Sequence, residues 1–266
     1  MELEVLISAL KKDPVELIKQ MRIETPAVLV NQCDRTGSEV FEYAQNRIKV
    51  LSDDGRGGGR SRNLCLENAD KEIVLFSDED IVYDPGYAAK VIRAFEDMPT
   101  ADVLLFNVRV NEKRRTYWNE DIHRVGKLNC GRFPAYSIAA RRESLIKSQI
   151  RYSLYFGGGA KYSNGEDSLF LTDCIRKGLA IYTSTEVLGE ETERASTWFF
   201  GYTGKFFFDR GVLFAFLYPH TALIWAFRFV FVKKNIDTDG IGRRKAWKRI
   251  REGIREGNKL RKCGSI

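Results

Sequence analysis

The sequence predicts an α/β fold, a doubly wound, mostly parallel sheet flanked by helices and followed by a C-terminal helical extension. Three observations predict it. Short aliphatic and β-branched runs, apolar nearly throughout, recur along the first hundred residues, as expected of strands covered on both faces. Segments with apolar residues at three- and four-residue spacing lie between them. The composition then shifts, with 14 of the chain's 32 aromatic residues falling within positions 198–231, which sets that stretch apart from the sheet.

In order, residues 3–8, 27–31, 48–51 and 73–77 are the first four strands. Residues 14–21, 38–45 and 61–68 alternate with them and are expected as helices, giving a βαβαβαβ order. Such sheets bind ligands beyond the carboxyl ends of their strands. Those ends carry Ser8, Asn31-Gln32, Asp53-Asp54 and Asp78-Glu79-Asp80, so polar clusters fall where a site belongs. Strands at 103–108 and 135–140 follow, then a helix at 165–177 ended by Gly178, then a last strand at 180–183. No repeat or low-complexity linker precedes residue 195, so residues 1–200 are expected as one globular unit and 201–266 as an extension.

The net charge of +7 suggests a nucleic-acid binder until it is located. Residues 233–262 hold 12 Lys and Arg against 4 Asp and Glu, which leaves 31 against 32 elsewhere. A folded basic face is therefore not expected, and no nucleic-acid partner. Residues 211–232 are apolar but broken by Pro219, His220 and Arg228, which favours a buried or interfacial segment over a membrane span. In residues 243–262, Trp247, Ile250 and Ile254 share a helical face flanked by Arg and Lys. That pattern suits a helix lying on an anionic lipid surface, or a packed helix with a solvated basic face. Five scattered cysteines without a C-x-x-C pair read as reduced thiols. The acidic start, Met1-Glu2-Leu3-Glu4, is unlike a secretory signal, so a cytoplasmic location is expected.

Three motifs carry candidate chemistry. Asp78-Glu79-Asp80 follows an apolar strand, and carboxylates one residue apart offer hard oxygen ligands to Mn²⁺ or Mg²⁺; an isolated D-x-D is equally an acidic turn. The stretch Gly55-Arg56-Gly57-Gly58-Gly59-Arg60-Ser61-Arg62-Asn63 opens a helix and reads either as a phosphate-facing loop or as a plain mobile one. Glu166 and Asp167 begin a helix, where acidic residues favour the N-terminus and a pinned carboxylate can act as a general base.

This order, a strand, a G-x-x-x-S-R-N helix, a strand ending in D-x-D and a G-E-D helix, resembles the family 2 glycosyltransferases of GT-A fold over roughly residues 1–200. The resemblance implies an inverting, metal-dependent transfer from a nucleotide-sugar donor to a saccharide or lipid-linked acceptor. Asp80 matches the metal-binding carboxylate, Asp78 the one near the ribose or metal shell, Arg62 a nucleotide-contacting arginine, and Asp167 the catalytic base with Glu166 beside it. Ser8 lines the nucleotide pocket. Where many members end the second strand in paired aspartates that read the base, this chain has Asn31-Gln32, then Asp34, so uridine specificity does not carry over.

The segment Ala195-Ser196-Thr197-Trp198 with Gly201-Tyr202 resembles polysaccharide-assembly members, and Trp198 and Tyr202 are candidates to stack on an acceptor sugar. A base must be ionised, so Asp167 is expected to be charged and solvent-connected in the free enzyme. The resemblance and the basic tail together imply a peripheral enzyme on the inner face of the cell membrane. Two alternatives share the fold: a nucleotidyltransferase, disfavoured because Ser8-Ala9-Leu10-Lys11 is not a glycine-rich phosphate turn, and an inactive nucleotide-binding scaffold, disfavoured by the presence of both Asp80 and Asp167.

Overall fold

The computed structural model describes residues 1–112, 114–192, 201–233, 236, 238 and 240–263. The chain first forms β1 (Leu3–Leu10), α1 (Pro14–Gln20) and β2 (Ala27–Gln32), then a hairpin of β3 (Gly37–Tyr43) and β4 (Asn46–Asp53). Helix α2 (Gly58–Asn68) leads to β5 (Ile73–Asp78), the short β6 (Ile81–Tyr83) and α3 (Tyr87–Asp97). The second half adds β7 (Val103–Arg109), β8 (Ile138–Arg141), α4 (Arg142–Lys147), α5 (Glu166–Arg176) and β9 (Ile181–Glu191). All strands join one sheet in the order β3-β4-β2-β1-β5-β8-β7-β9-β6.

The sheet is parallel where the site is built and mixed beyond it. Strands β4, β2, β1 and β5 run parallel, whereas β8 is antiparallel to both β5 and β7. Strand β1 leads to β2 on one side, while α2 carries the chain back across to β5 on the other. The connections therefore diverge between β1 and β5, which leaves a crevice at their carboxyl ends. The apolar runs are buried because both faces are covered. Leu17 and Ile18 of α1 with Val91 and Phe95 of α3 pack on one face, and Cys65 and Leu66 of α2 with Phe170 and Leu171 of α5 on the other.

Three expectations need correction. Residues 38–45 form β3, not a helix, closed by a two-residue turn in which Ala44 and Gln45 both have positive φ. The expected strand at 135–140 begins as a 3-10 turn, Ala135–Ser137, before β8. The last strand reaches Glu191, far beyond residue 183.

The extension is a helical layer of α6 (Gly204–Leu217), α7 (Ala222–Phe227), which runs into a π-helical turn at Arg228–Val232, and α8 (Arg243–Lys262). Helices α6 and α8 cross closely because glycines face the contact. A Cβ on Gly211 would collide with the Ile250 carbonyl, and one on Gly253 with the Phe208 carbonyl. This corrects the expected lipid-facing stripe of α8: Ile250 and Ile254 are buried against α6, and Trp247 packs on Phe227 and Phe231. Phe156, Tyr162 and Leu169 meet Val212 and Leu213 of α6 in a second cluster that joins the extension to the sheet domain. Among the described residues no helix is long and apolar enough to cross a membrane. All five cysteines are free thiols.

Candidate active site

A cavity of about 360 Å³ opens at the crevice between β1 and β5. Ser8 and Asp78 are register partners at the ends of those strands, so the sheet itself sets them side by side. Gln32, Arg62, Asp80, Glu166 and Asp167 complete the part of the lining foreseen in the sequence.

Arg62 is the hub. Helix α2 buries it to 7 % side-chain exposure, and its guanidinium lies 5.3 Å from the centroid of Tyr152, which itself stacks on Phe170. It donates to Asp78 at 2.7 Å and to Glu166 at 3.5 Å and stands 3.7 Å from Asp167. Burial works against its charge, yet Asp78, Asp167 and Glu166 outweigh burial and hold its pKa well above the ordinary arginine value. One cation among three carboxylates leaves the cluster with an excess of negative charge.

That excess falls on Asp167. Burial, then the Glu166 charge, push its carboxyl up to about 8, although Arg62 opposes them. Its Oδ1 is buried without a hydrogen-bond partner among the described residues, and it lines the cavity. This shift runs against the expectation of a charged Asp167, toward the protonated form. Glu166 is held by close approach of backbone, since a Cβ on Gly157, whose φ is +109°, would meet its carboxyl carbon at 2.7 Å.

Within the acidic triplet the residues divide. Glu79 turns back to accept from the Leu10 N–H at 2.6 Å and to pair with Lys12, which fixes the turn after β1. The Asp80 carbonyl accepts from the Thr192 N–H at 2.8 Å, tying the triplet to the end of β9. All three residues border the cavity, with the Glu79 carboxylate already engaged by Leu10 and Lys12. Among the described residues no group of three His, Cys, Asp or Glu side chains is disposed to hold a metal. Two carboxylates fit Mg²⁺ or Mn²⁺ when substrate phosphates complete the shell, so the donor set suits an ion that arrives with a diphosphate.

Other expected residues are not brought to the cavity. Asn31 is used internally, accepting from the Lys12 N–H and donating to the Lys12 carbonyl. Tyr202 packs on Phe206 in the extension core, and Trp198 lies outside the described residues. The glycine stretch borders the cavity at Gly58 and serves packing elsewhere: the Gly57 N–H donates to Gln32 and the Gly58 N–H to the Gly158 carbonyl, while Arg56 pairs with Asp34 and Arg60 with Asp53. Conversely, Tyr136 and the Arg114–Glu191 ion pair at 3.0 Å line the cavity without having been foreseen. Burial, then Tyr117 and Glu191, hold the Tyr136 phenol protonated, which makes it a hydroxyl donor at the cavity wall.

Comparison with known proteins bears on the fold and the family. No curated protein sequence matches the chain. Among solved structures, TarS of S. aureus (residues 1–349), in complex with UDP-GlcNAc, superposes with a TM-score of 0.61 at 17 % identity, covering 99 % of this chain and 92 % of that one. A mannosyltransferase of Pyrobaculum calidifontis in complex with GDP-Man and Mn²⁺ superposes with a TM-score of 0.51 at 13 % identity, covering 99 % and 79 %. At these identities the likeness is one of fold. The sequence model described as glycosyl transferase family 2 matches residues 6–159, more than half of the chain, and the protein belongs to that family.

Proposed function

We propose that this protein transfers a sugar, with inversion, from a nucleoside-diphosphate sugar to a saccharide or lipid-linked hydroxyl. In this reading it serves cell-surface or capsular polysaccharide synthesis from the cytosolic side of the membrane. The observation that carries the proposal is the presence, in one cavity, of an Asp167 oxygen that has no hydrogen-bond partner among the described residues and of the Asp78–Asp80 pair. The nucleotide sugars bound by the two structural neighbours support the donor class.

The nucleoside lies along Ser8 and Gln32, and the diphosphate along Asp78, Asp80 and the end of β5. Asp80, with help from Asp78, would hold Mn²⁺ or Mg²⁺, which would supply positive charge to offset the leaving diphosphate. Asp167 accepts the proton of the acceptor hydroxyl as its oxygen attacks the anomeric carbon, and the nucleoside diphosphate departs from the opposite face. Arg62 holds Asp78, Glu166 and Asp167 in one arrangement and moderates their repulsion. Asn31 and Tyr202 have no direct part, and Glu79 acts on the turn, not on the substrate.

The decisive experiment is Asp167→Asn. Transfer is expected to fall by at least about 100-fold, the usual contribution of a general base, while nucleotide binding measured by calorimetry persists. Undiminished transfer by the variant would remove Asp167 from the mechanism.

A further inference from the structure

We propose that residues 223–233 form the docking surface for an anionic phospholipid membrane. The inference concerns a region outside the cavity and does not depend on the transfer reaction. Helix α7 and the π-helical turn leave large apolar side chains in solvent: Leu223 is 54 % exposed, Ile224 68 %, Phe227 53 % and Val232 59 %. Four such residues within ten positions form a patch of the kind that marks an interaction surface. The chain here is too short to cross a bilayer, since α7 and the turn together run only from Ala222 to Val232. A short element of this kind lies on a membrane and does not span it.

Charge selects the occupant. Arg210 and Lys233 flank the same ring, with the Arg210 guanidinium 5.4 Å and the Lys233 ammonium 5.7 Å from the Phe229 centroid. Arg228 stands over Trp225 at 5.7 Å. None of these three cations forms an ion pair with a carboxylate among the described residues, and Arg210 Nε is buried with no hydrogen-bond partner. Burial, with Arg210 and Arg228 nearby, depresses the Lys233 ammonium, as expected where cations gather without an acid. The positive rim continues onto α8: Trp247 touches Phe227 and Phe231, and Arg243, Arg244 and Lys248 beside it are exposed. An apolar patch bordered by Arg228 and Lys233, which pair with no carboxylate among the described residues, fits lipid phosphates above and acyl chains below. A second copy of this chain would set the same cations against one another.

The test uses the full chain, sedimented with phosphatidylcholine vesicles with or without phosphatidylglycerol. The expected result is binding to the anionic vesicles alone, weakened by salt. Replacing the two exposed cations in Arg228→Gln/Lys233→Gln should weaken binding by about 30-fold, from roughly 1 kcal/mol per basic residue. Leu223→Ser/Ile224→Ser should weaken it by at least about tenfold. Both variants change exposed side chains and should keep the parent melting temperature, which separates lost docking from lost folding. Failure of the parent to bind anionic vesicles, or equal binding by parent and variants, would overturn the proposal. So would a dimer that Leu223→Ser/Ile224→Ser dissolves in a protein that ignores vesicles.

Discussion

Asp167 is a carboxyl that its surroundings prefer neutral, with consequences for rate and for stability. As the proposed base it would work only when ionised. The pH dependence of kcat/KM, which reports the free enzyme, should therefore rise on its acid limb with an apparent pKa near 8, well above the ordinary carboxylate range. A limb near 4 would contradict that environment. The stability effect has the opposite sign: a folded-state pKa raised above the unfolded value favours the fold at low pH, and that contribution is lost as pH rises toward 8. Asparagine does not titrate, so Asp167→Asn should gain stability over the parent between about pH 4 and 8, by about 1–3 kcal/mol at the upper end. Thermal melts across that range would show it. Of the site residues, Asp78, Asp80, Glu166, Asp167 and Arg62 were legible because each sits in a short motif at a strand or helix end. Tyr136, Arg114 and Glu191 were not, because a fold assembles them from loops and strand ends with no local pattern. Asn31 misled because a polar residue at a strand end serves a turn as readily as a ligand.

Helices and strands were legible wherever one face is strongly buried. The central strands β1, β2, β4 and β5 read directly from their apolar runs. The hairpin strand β3 did not, because it is an edge strand: Val40 is 51 % exposed, so the two-residue alternation carries little hydrophobic contrast. Its Ala44-Gln45 turn also lacks the Asn-Gly or Asp-Gly signal of a tight hairpin. Helix α8 was recognised as amphipathic, but its apolar stripe faces α6, not lipid. The glycine contacts behind this make a prediction whose sign is informative. Alanine exceeds glycine in helix propensity by about 1 kcal/mol, yet Gly253→Ala should destabilise the protein by about 1–3 kcal/mol, because the new Cβ meets the Phe208 carbonyl. Urea denaturation measures the difference, and a more stable variant would refute the close α6–α8 crossing.

At the scale of the molecule, the extension is joined to the catalytic cavity through α5. Leu213 of α6 packs on Gly165, the residue before Glu166, and the Asp209 carboxylate accepts from the Ser163 N–H at 3.0 Å. The helix start that presents Glu166 and Asp167 is thus braced by α6, which packs in one cluster with the α7 segment proposed to dock on lipid. Charge follows the same division, with a near-neutral sheet domain and a basic extension. The central claim is that the cavity binds a nucleoside diphosphate with a divalent ion held at Asp80. Calorimetric titration of a panel of nucleoside diphosphates, with and without Mn²⁺, on the parent chain and on Asp80→Asn tests it most directly. One or more of them should bind the parent in an Mn²⁺-dependent manner, and Asp80→Asn should lose that dependence. Absence of binding by every nucleotide, with or without the metal, would contradict the account.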